Sequence, residues 1–510
     1  MASKYLYGAA VHSIQSFIFE TGKLKEIVGA SEFVEQVCGT FFNKNIPNYD
    51  PNQQILSAAG KIIYRFDSLA DCQQVVRTFP KFIKEQVPNI KLSQAVVKIE
   101  AAGTKTDLDK LESLLDAQRN RPMPQHGLAL MITERARRTG QAGYEPDPNV
   151  QDDNQALIDR TQSTKLIAFD TNSLVEKIRP ASENRNFASK LESIAKEKEW
   201  LAIVHADGNS LGKSIQQILT KTEAAKTVNF YRDFSRELDK ATIKAAKAAY
   251  QESVVPKITA QKTIPLRPVL LGGDDLTIII RGDLALDFTA SYLRHFEEQT
   301  KAHFEKLPFP STLAYLKEGL TACAGIAYIK PNYPFHYGAK LSEELTAKFA
   351  KATAKNIARQ LEATNANPSI PSCIAFHKIQ SSFIGDYASI TERELYAKKS
   401  EVYFNNGPYF IHPQTGFNTV ADLQKWVTVL QKADAPKSNL REWLTELQIS
   451  KPSAEQFMER INDLHPRFRS TLKLGNKAIF QEREDKTVTH IYDALTIESI
   501  ATKKEHKHAV

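Results

Sequence analysis

Two apolar segments, Val269–Leu271 and Leu276–Ile280, are separated only by Gly272-Gly273-Asp274-Asp275. Four residues cannot hold a crossover helix, so the segments must fold back as antiparallel strands around a tight turn. The glycines permit that turn and let a ligand approach the backbone closely. Two adjacent carboxylates then stand at a sheet end while their flanks lie in the core. An acidic Gly-Asp turn is by itself a common surface feature. Its meaning depends on what else the chain brings to that end.

An apolar strand at Trp200–His205 ends in Ala206-Asp207-Gly208-Asn209. A helical stretch from Leu211 to Tyr250 follows, then the hairpin, a helix over Leu284–Lys306, a strand over Leu320–Ile329 and a helix over Lys340–Leu361. The order β-α-β-β-α-β is the ferredoxin-like arrangement. In that sheet the first strand ends beside the turn joining the second and third, which places Asp207 near Asp274 and Asp275. Three carboxylates repel one another unless a cation neutralises them. Oxygen ligands suit Mg²⁺ or Mn²⁺, which also bind phosphate oxygens. Such ions promote attack by a hydroxyl and stabilise a leaving pyrophosphate. The expected chemistry is nucleotidyl transfer, a 3′-hydroxyl attacking the α-phosphate of a nucleoside triphosphate. Asp207, Asp274 and Asp275 are the expected catalytic and metal-binding residues.

Gly208, Asn209 and Ser210 lie at a strand-to-helix junction, where backbone N–H groups can cradle phosphates. With Gly272, Gly273, Lys348 and Lys351 they form the expected nucleotide-binding set. Lys213 and Lys355 are further candidates, although any one lysine also reads as part of a solvated basic face. The spacing from Gly208 to Lys213 is not that of a Walker motif.

The same order of elements occurs earlier. Tyr5–Val11 reads as a strand, Leu24–Phe42 recurs at helical spacing, and Gln54–Ala58 and Lys61–Phe66 flank Gly60. A helix over Ala70–Val87 and a strand over Leu92–Glu100 follow. AAVHSIQSF (9–17) matches AIVHADGNSL (202–211), and SAAGKIIYRF (57–66) matches LLGGDDLTII (270–279), which points to a duplication. The alignment sets His12 against His205 and Gly60 against Gly273, and the acids occur only in the second copy. The expected class is α+β, two ferredoxin-like palm units followed by a helical C-terminal domain. The expected boundaries are 1–132, a connecting segment over 133–198, the acid-bearing unit over 199–380, and 381–510. Within the connector, Gly140–Asp153 reads as loop and Lys190–Trp200 as helix. Leu423–Leu430 and Leu440–Leu447 are C-terminal helices, and the basic tail Lys503–Val510 is expected to fray.

Composition narrows the partners. The 510 residues carry 67 Lys plus Arg against 59 Asp plus Glu, a net charge of +8 that permits a polyanion or a nucleotide without demanding either. The four cysteines, Cys38, Cys72, Cys323 and Cys373, form no CxxC, which excludes a zinc ribbon and points to a reducing compartment. No apolar run nears the ~20 residues of a membrane span, so a soluble, cytoplasmic protein without a membrane partner is expected. His12, His205, Cys323, Cys373, Trp426 and Trp443 read most simply as packed residues. Arg137-Arg138-Thr139-Gly140 reads equally as a solvated loop or as a contact for RNA or nucleotide.

WLAIVHADGNSLGKSI, LLGGDDLTIIIRG and LTACAGIAYIKPNYPFHYGAKLSEELTAK resemble the polymerase-type palm of the large subunit of type III CRISPR effector complexes. IQSFIFETGKLKEIVGASEFV with AAGKIIYRF resembles that family's non-catalytic palm, and CIAFHKIQSS and IYDALTI are also similar to it. The resemblance implies a Mg²⁺-dependent palm that turns ATP into cyclic or linear oligoadenylate messengers in antiviral defence. It implies that Asp207 and Asp274 hold metal, with Asp275 sharing ligation or base duty. It also implies two palms face to face, the acid-free one holding a second nucleotide. The sequence has neither a His-Asp dipeptide nor the cysteines of a zinc module, so a compact or stand-alone relative lacking nuclease and zinc parts is expected. RNA and CRISPR effector subunits are partners this implies, and a homo-oligomer is compatible with the sequence. Two other readings stay open: a non-catalytic nucleotide-binding scaffold or sensor, and a dinucleotide cyclase of the GGDEF type.

Overall fold

The computed structural model describes residues 4–58, 60–100, 103–121, 132–148, 156–259, 261–361, 369–381, 385–475, 479–483 and 486–501. The end of the expected loop (149–153) and the basic tail (503–510) lie outside the described residues.

The first unit runs β1 (Lys4–His12), α1 (Leu24–Gln36), β2 (Gln54–Ala58), β3 (Lys61–Phe66), α2 (Leu69–Gln86) and β4 (Lys91–Ile99). Its sheet has the antiparallel order β2-β3-β1-β4, the ferredoxin-like order. Side chains alternate across it. Tyr7, Ala9, Tyr64 and Phe66 pack under Phe33, Phe42 and Phe79. Leu6, Ile63 and Val97 pack under α3 (Lys105–Arg119) on the other face.

The connector contributes α4 (Arg160–Phe169) and α5 (Ser173–Ile178). The helix expected over Lys190–Trp200 shrinks to one turn, Leu191–Ile194. The reason lies in Lys196-Glu197-Lys198-Glu199, which offers no apolar stripe to bury.

The second unit runs β5 (Leu201–Gly208), α6 (Leu211–Lys221), α7 (Thr227–Ala249), β6 (Leu266–Gly272), β7 (Asp275–Arg281), α8 (Gly282–Phe304) and β8 (Ala322–Ile329). The single helix expected over 211–250 is two helices, because Thr222 leaves the helical region at ψ 144° and α7 starts afresh. Next, α9 (Phe335–Glu344) continues through a π-helical turn at Leu345–Ala350 into α10 (Lys351–Leu361). The chain then returns as β9 (Cys373–Lys378), parallel to β8. The sheet order is β6-β7-β5-β8-β9, extended by the short strand Tyr409–Phe410.

β5 and β8 are apolar on both faces because both faces are covered. Ala202, Val204, Leu276 and Ile278 belong to the core that includes α7 and α8. Leu201, Ile203 and Ile279 meet Phe335 and Ala339 of α9 and, from the first unit, Ile27, Val28 and Ala30 of α1. Conversely, Val228 and Tyr231 of α7 pack against Leu6 and Ile63 of the first sheet. Each unit therefore lends a helix to the other's sheet, which holds the two hairpin ends in one fixed relation.

The C-terminal region is helical, with helices Val420–Leu430, Lys437–Ile449, Lys451–Leu464 and Ile491–Ile500. Trp426 and Trp443 are 1% and 0% exposed in its core, as expected. It also carries a sheet in the order Tyr396–Ala397, Val402–Tyr403, Lys486–Thr489, Phe480–Arg483. Strands of two to four residues leave no periodicity to read. No helix among the described residues is long and apolar enough to cross a membrane.

Candidate active site at the end of the second sheet

Asp275 opens β7 and pairs in register with Asp207 on β5. Gly272 pairs with Asp275, which leaves Gly273 and Asp274 as a two-residue turn. Gly273 sits at φ +64°, the left-handed conformation that the first position of such a turn reserves for glycine. One carboxylate oxygen from each of Asp207, Asp274 and Asp275 lies within 4.8 Å of the others, as the strand order predicts. Gly208 makes room for this approach: a Cβ there would stand 2.7 Å from both Cβ and Oδ2 of Asp274.

The cluster is short of positive charge. Burial first, and then the neighbouring Asp207, pushes the Asp274 carboxyl up to about 7. Burial and the charges of Asp274 and Asp207 raise Asp275 well above the carboxylate range. Lys351 forms an ion pair with Asp207 and donates to Gly208 O at 2.7 Å. Among the described residues, one ammonium pairs with this set of three carboxylates. An all-oxygen set this tight, with its proton affinities raised, has the chemistry of a hard divalent cation site and fits Mg²⁺ or Mn²⁺. His205, two residues before Asp207, is not a candidate ligand. Its Nδ1 lies 3.0 Å from Thr277 Oγ1, and burial lowers its pKa to about 4, so it packs as a neutral ring.

The other expected site residues divide. Gly208, Gly272 and Gly273 frame the acids. Ser210 opens α6 in the left-handed region at φ 60°, and Ser13 does the same at φ 53° at the matching junction of the first unit. Asn209 is 3% exposed, and its side chain donates to Thr321 Oγ1 at 3.0 Å. It braces the strand end rather than presenting its amide to an open site. Lys351 reaches the cluster, whereas Lys348 points to solvent and pairs with Glu344 at 3.3 Å. Lys213 and Lys355 are exposed. Arg138 pairs with Glu26 and Asp147 while both it and Arg137 stay exposed. Cys323 and Cys373 are fully buried on neighbouring strands, as expected of core residues.

Strand register corrects the alignment of the two units. Ala10 pairs with Lys61 as Asp207 pairs with Asp275, and Ala58 pairs with Lys61 as Gly272 pairs with Asp275. The first unit's counterparts of Asp207, Asp274 and Asp275 are therefore Ala10, Gly60 and Lys61. Matching glycine to glycine shifts this by one residue, because Gly60 (φ +78°) holds the second turn position and Gly273 the first. On the same register His12 falls at Asn209 and Gly8 at His205, so the two histidines are not equivalent. His12 bonds Ser93 Oγ at 2.7 Å instead.

Sequence reasoning also missed the side chains that hold the turn. Lys177 of α5 donates to Leu271 O at 3.2 Å. On α7, Asp239 Oδ1 accepts from Gly273 N at 3.2 Å, and Thr242 Oγ1 lies 2.6 Å from Gly273 O. They come from elements far apart in the chain, and no motif announces them.

Residues 200–358 match the family model of the Cas10/Cmr2 second palm domain. The whole fold is similar to that of Csm1 from T. onnurineus, with a TM-score of 0.52 at 12% identity, over 99% of this chain and 70% of that one. Residues 200–358 are a Cas10-like palm domain. This palm carries the acids at the hairpin turn and on the adjacent strand. A chain of the Csm1–Csm4 cassette in complex with cA3 gives a TM-score of 0.55 at 13% identity, covering 98% of this chain and 70% of that one. The same cassette in complex with one ATP gives 0.52 at 13% identity, with the same coverage. At this identity the likeness of the chain to solved structures is one of fold. No curated protein matches its sequence.

Proposed function

We propose that the chain is a divalent-metal-dependent nucleotidyltransferase that joins ATP into cyclic or linear oligoadenylate, a second messenger of antiviral defence. The convergence of Asp207, Asp274 and Asp275 within 4.8 Å, with Asp274 pushed up to about 7, carries this reading. The palm family and the cassettes solved with ATP, cA3 and cA4 support it.

In the proposed reaction the 3′-oxygen of one nucleotide forms a bond to the α-phosphorus of another. The α–β phosphoanhydride breaks, pyrophosphate leaves, and the hydroxyl proton passes to Asp275 or to water. Mg²⁺ or Mn²⁺ bound at the site would supply Lewis acidity against the charge that develops on the phosphates. Asp207 and Asp274 would hold it, with Asp275 sharing that duty. Gly208, Gly272 and Gly273 leave the backbone open to a triphosphate, and the first turn of α6 at Ser210 offers N–H groups to it. Lys351, beside Asp207, adds positive charge; Lys348 stands farther out. Ala10, Gly60 and Lys61 hold no carboxylate, so the first palm is assigned the second nucleotide rather than a second metal.

We assign the protein to the cytoplasm, with CRISPR effector subunits as partners, after the pairing of Csm1 with Csm4 in the solved cassettes. The test is incubation with ATP and Mn²⁺ or Mg²⁺, with and without RNA, followed by mass spectrometry of the products. Products absent from the Asp274→Ala/Asp275→Ala variant support the proposal; full activity in that variant refutes it. Tight ATP binding with no product under any condition would favour the scaffold reading. A product confined to cyclic dinucleotides would favour the GGDEF-type reading.

A further inference from the structure

The backbone of the acidic turn is gripped from outside the hairpin by groups that are not metal ligands. Val228, Tyr231, Ser235, Asp239 and Thr242 follow one another at spacings of three and four along α7, so they form one stripe of the helix. The early part of the stripe lies on the first palm, where Val228 and Tyr231 pack against Leu6 and Ile63. Beside it, Arg232 Nη1 donates to Asn52 O at 3.0 Å and Arg236 Nη2 to Gln54 O at 3.2 Å, just before the first palm's hairpin. The later part of the stripe holds the second palm's hairpin. Asp239 Oδ1 accepts from Gly273 N at 3.2 Å. Thr242 Oγ1 lies 2.6 Å from Gly273 O and 3.0 Å from Leu238 O, one hydroxyl proton serving both.

Gly273 is the left-handed residue of the turn, and both of its backbone polar groups are thus held by side chains of α7. Without those partners a two-residue loop has little to fix its plane, and the direction of the Asp274 carboxylate follows that plane.

We propose that Asp239 and Thr242 are positioning residues that fix the two peptides flanking Gly273, Asp239 the Gly272–Gly273 peptide through its N–H and Thr242 the Gly273–Asp274 peptide through its carbonyl, and that α7 thereby ties the metal-binding geometry to the first palm. The inference rests on the metal-site reading above and names residues that reading does not use. Outer groups that orient ligands typically change metal affinity by 10–100-fold when removed.

The test compares full-length Asp239→Ala, Asp239→Asn and Thr242→Val with the unaltered chain. Mn²⁺ binding is read directly by electron paramagnetic resonance without nucleotide, and ATP turnover is read as a function of Mn²⁺. Asp239→Ala should raise the Mn²⁺ dissociation constant about tenfold or more. Asp239→Asn keeps an oxygen acceptor and should stay within about threefold of the unaltered protein. Thr242→Val should weaken Mn²⁺ binding in the same direction as Asp239→Ala, and a thermal melt establishes that each variant is folded. Should Asp239→Ala fail to fold, Thr242→Val carries the test. Unchanged Mn²⁺ binding in folded Asp239→Ala or Thr242→Val overturns the inference, as does equal loss in Asp239→Ala and Asp239→Asn. If the unaltered chain binds Mn²⁺ through Asp274 and Asp275 yet makes no product, the proposed activity fails while the positioning roles are still decided by the binding data.

Discussion

Replacing Asp274 with asparagine should stabilise the metal-free protein at neutral and alkaline pH. The Asp274 carboxyl stands at about 7 against an ordinary 3.8, for burial and repulsion reasons that operate only in the folded state. A rise of about three pH units corresponds to about 4 kcal/mol of unfavourable ionisation. Part of that repulsion is shared with Asp207 and Asp275, so neutralising one partner recovers about half, about 2 kcal/mol. The folded state binds this proton more tightly than the unfolded chain does. Stability therefore falls as pH rises from about 4 to about 7 and is flat above that. Asn mimics the protonated carboxyl, so the variant and the unaltered protein should agree near pH 4. They should diverge through pH 7, with the variant higher. For a domain of this size about 2 kcal/mol is about 4–8 °C in melting temperature. The assay is a melt of the full chain in chelator at pH 5 and pH 8, following the transition assigned to the second palm. Mn²⁺ should reverse the order, since saturation at 100 times the dissociation constant adds about 2.7 kcal/mol to a chain that binds it. A variant less stable than the unaltered protein at pH 8 without metal would refute the reasoning, because the acids would then not be in mutual conflict.

Other outcomes follow from close contacts. Gly208→Ala should abolish or sharply reduce product formation while the chain stays folded, since the new Cβ meets Asp274 at 2.7 Å and the turn can yield outward; steady-state turnover and a melt separate the two effects. Lys351→Met should lower turnover and destabilise the protein by about 1–2 kcal/mol above pH 7, because it leaves Asp207 unpaired beside two further acids; chemical denaturation measures the loss. Gly325→Ala should prevent the second palm from folding, because its Cβ would stand 2.2 Å from Ser342 O and 2.8 Å from Leu345 Cβ. Two packed backbones cannot both move, so the expected readout is insoluble protein or loss of the cooperative melt.

The acids and the sheet order were legible in the sequence because each leaves a local mark. Val269–Leu271 and Leu276–Ile280 can only be a hairpin, and a ferredoxin-like order brings Asp207 to the same end. What was not legible depends on register or on surroundings. Gly60 and Gly273 look equivalent in sequence, yet they occupy different turn positions, and only the pairings of Ala58 and Gly272 reveal it. Asn209 reads like a phosphate-loop residue, and only Thr321, more than a hundred residues on, shows it to be a brace. Asp239 and Thr242 read as ordinary polar positions in an amphipathic helix. Their partner is a backbone, which has no sequence signature.

On the corrected register the two units differ at all three acid positions. At the position of Asp275 the first palm has Lys61, whose ammonium pairs with Glu112 on α3. At the positions of Asp207 and Asp274 it has Ala10 and Gly60. That sheet end thus lacks the acid cluster, and the one ammonium at its Asp275 position is neutralised by Glu112. The two hairpin ends therefore differ in charge while sharing one fold, and α1 and α7, each packed on the other unit's sheet, hold them together. That arrangement places an end with a cluster of three acids beside an end whose ammonium and carboxylate cancel. The reaction proposed above, which takes two triphosphates and activates only one α-phosphate at a time, asks for the same division.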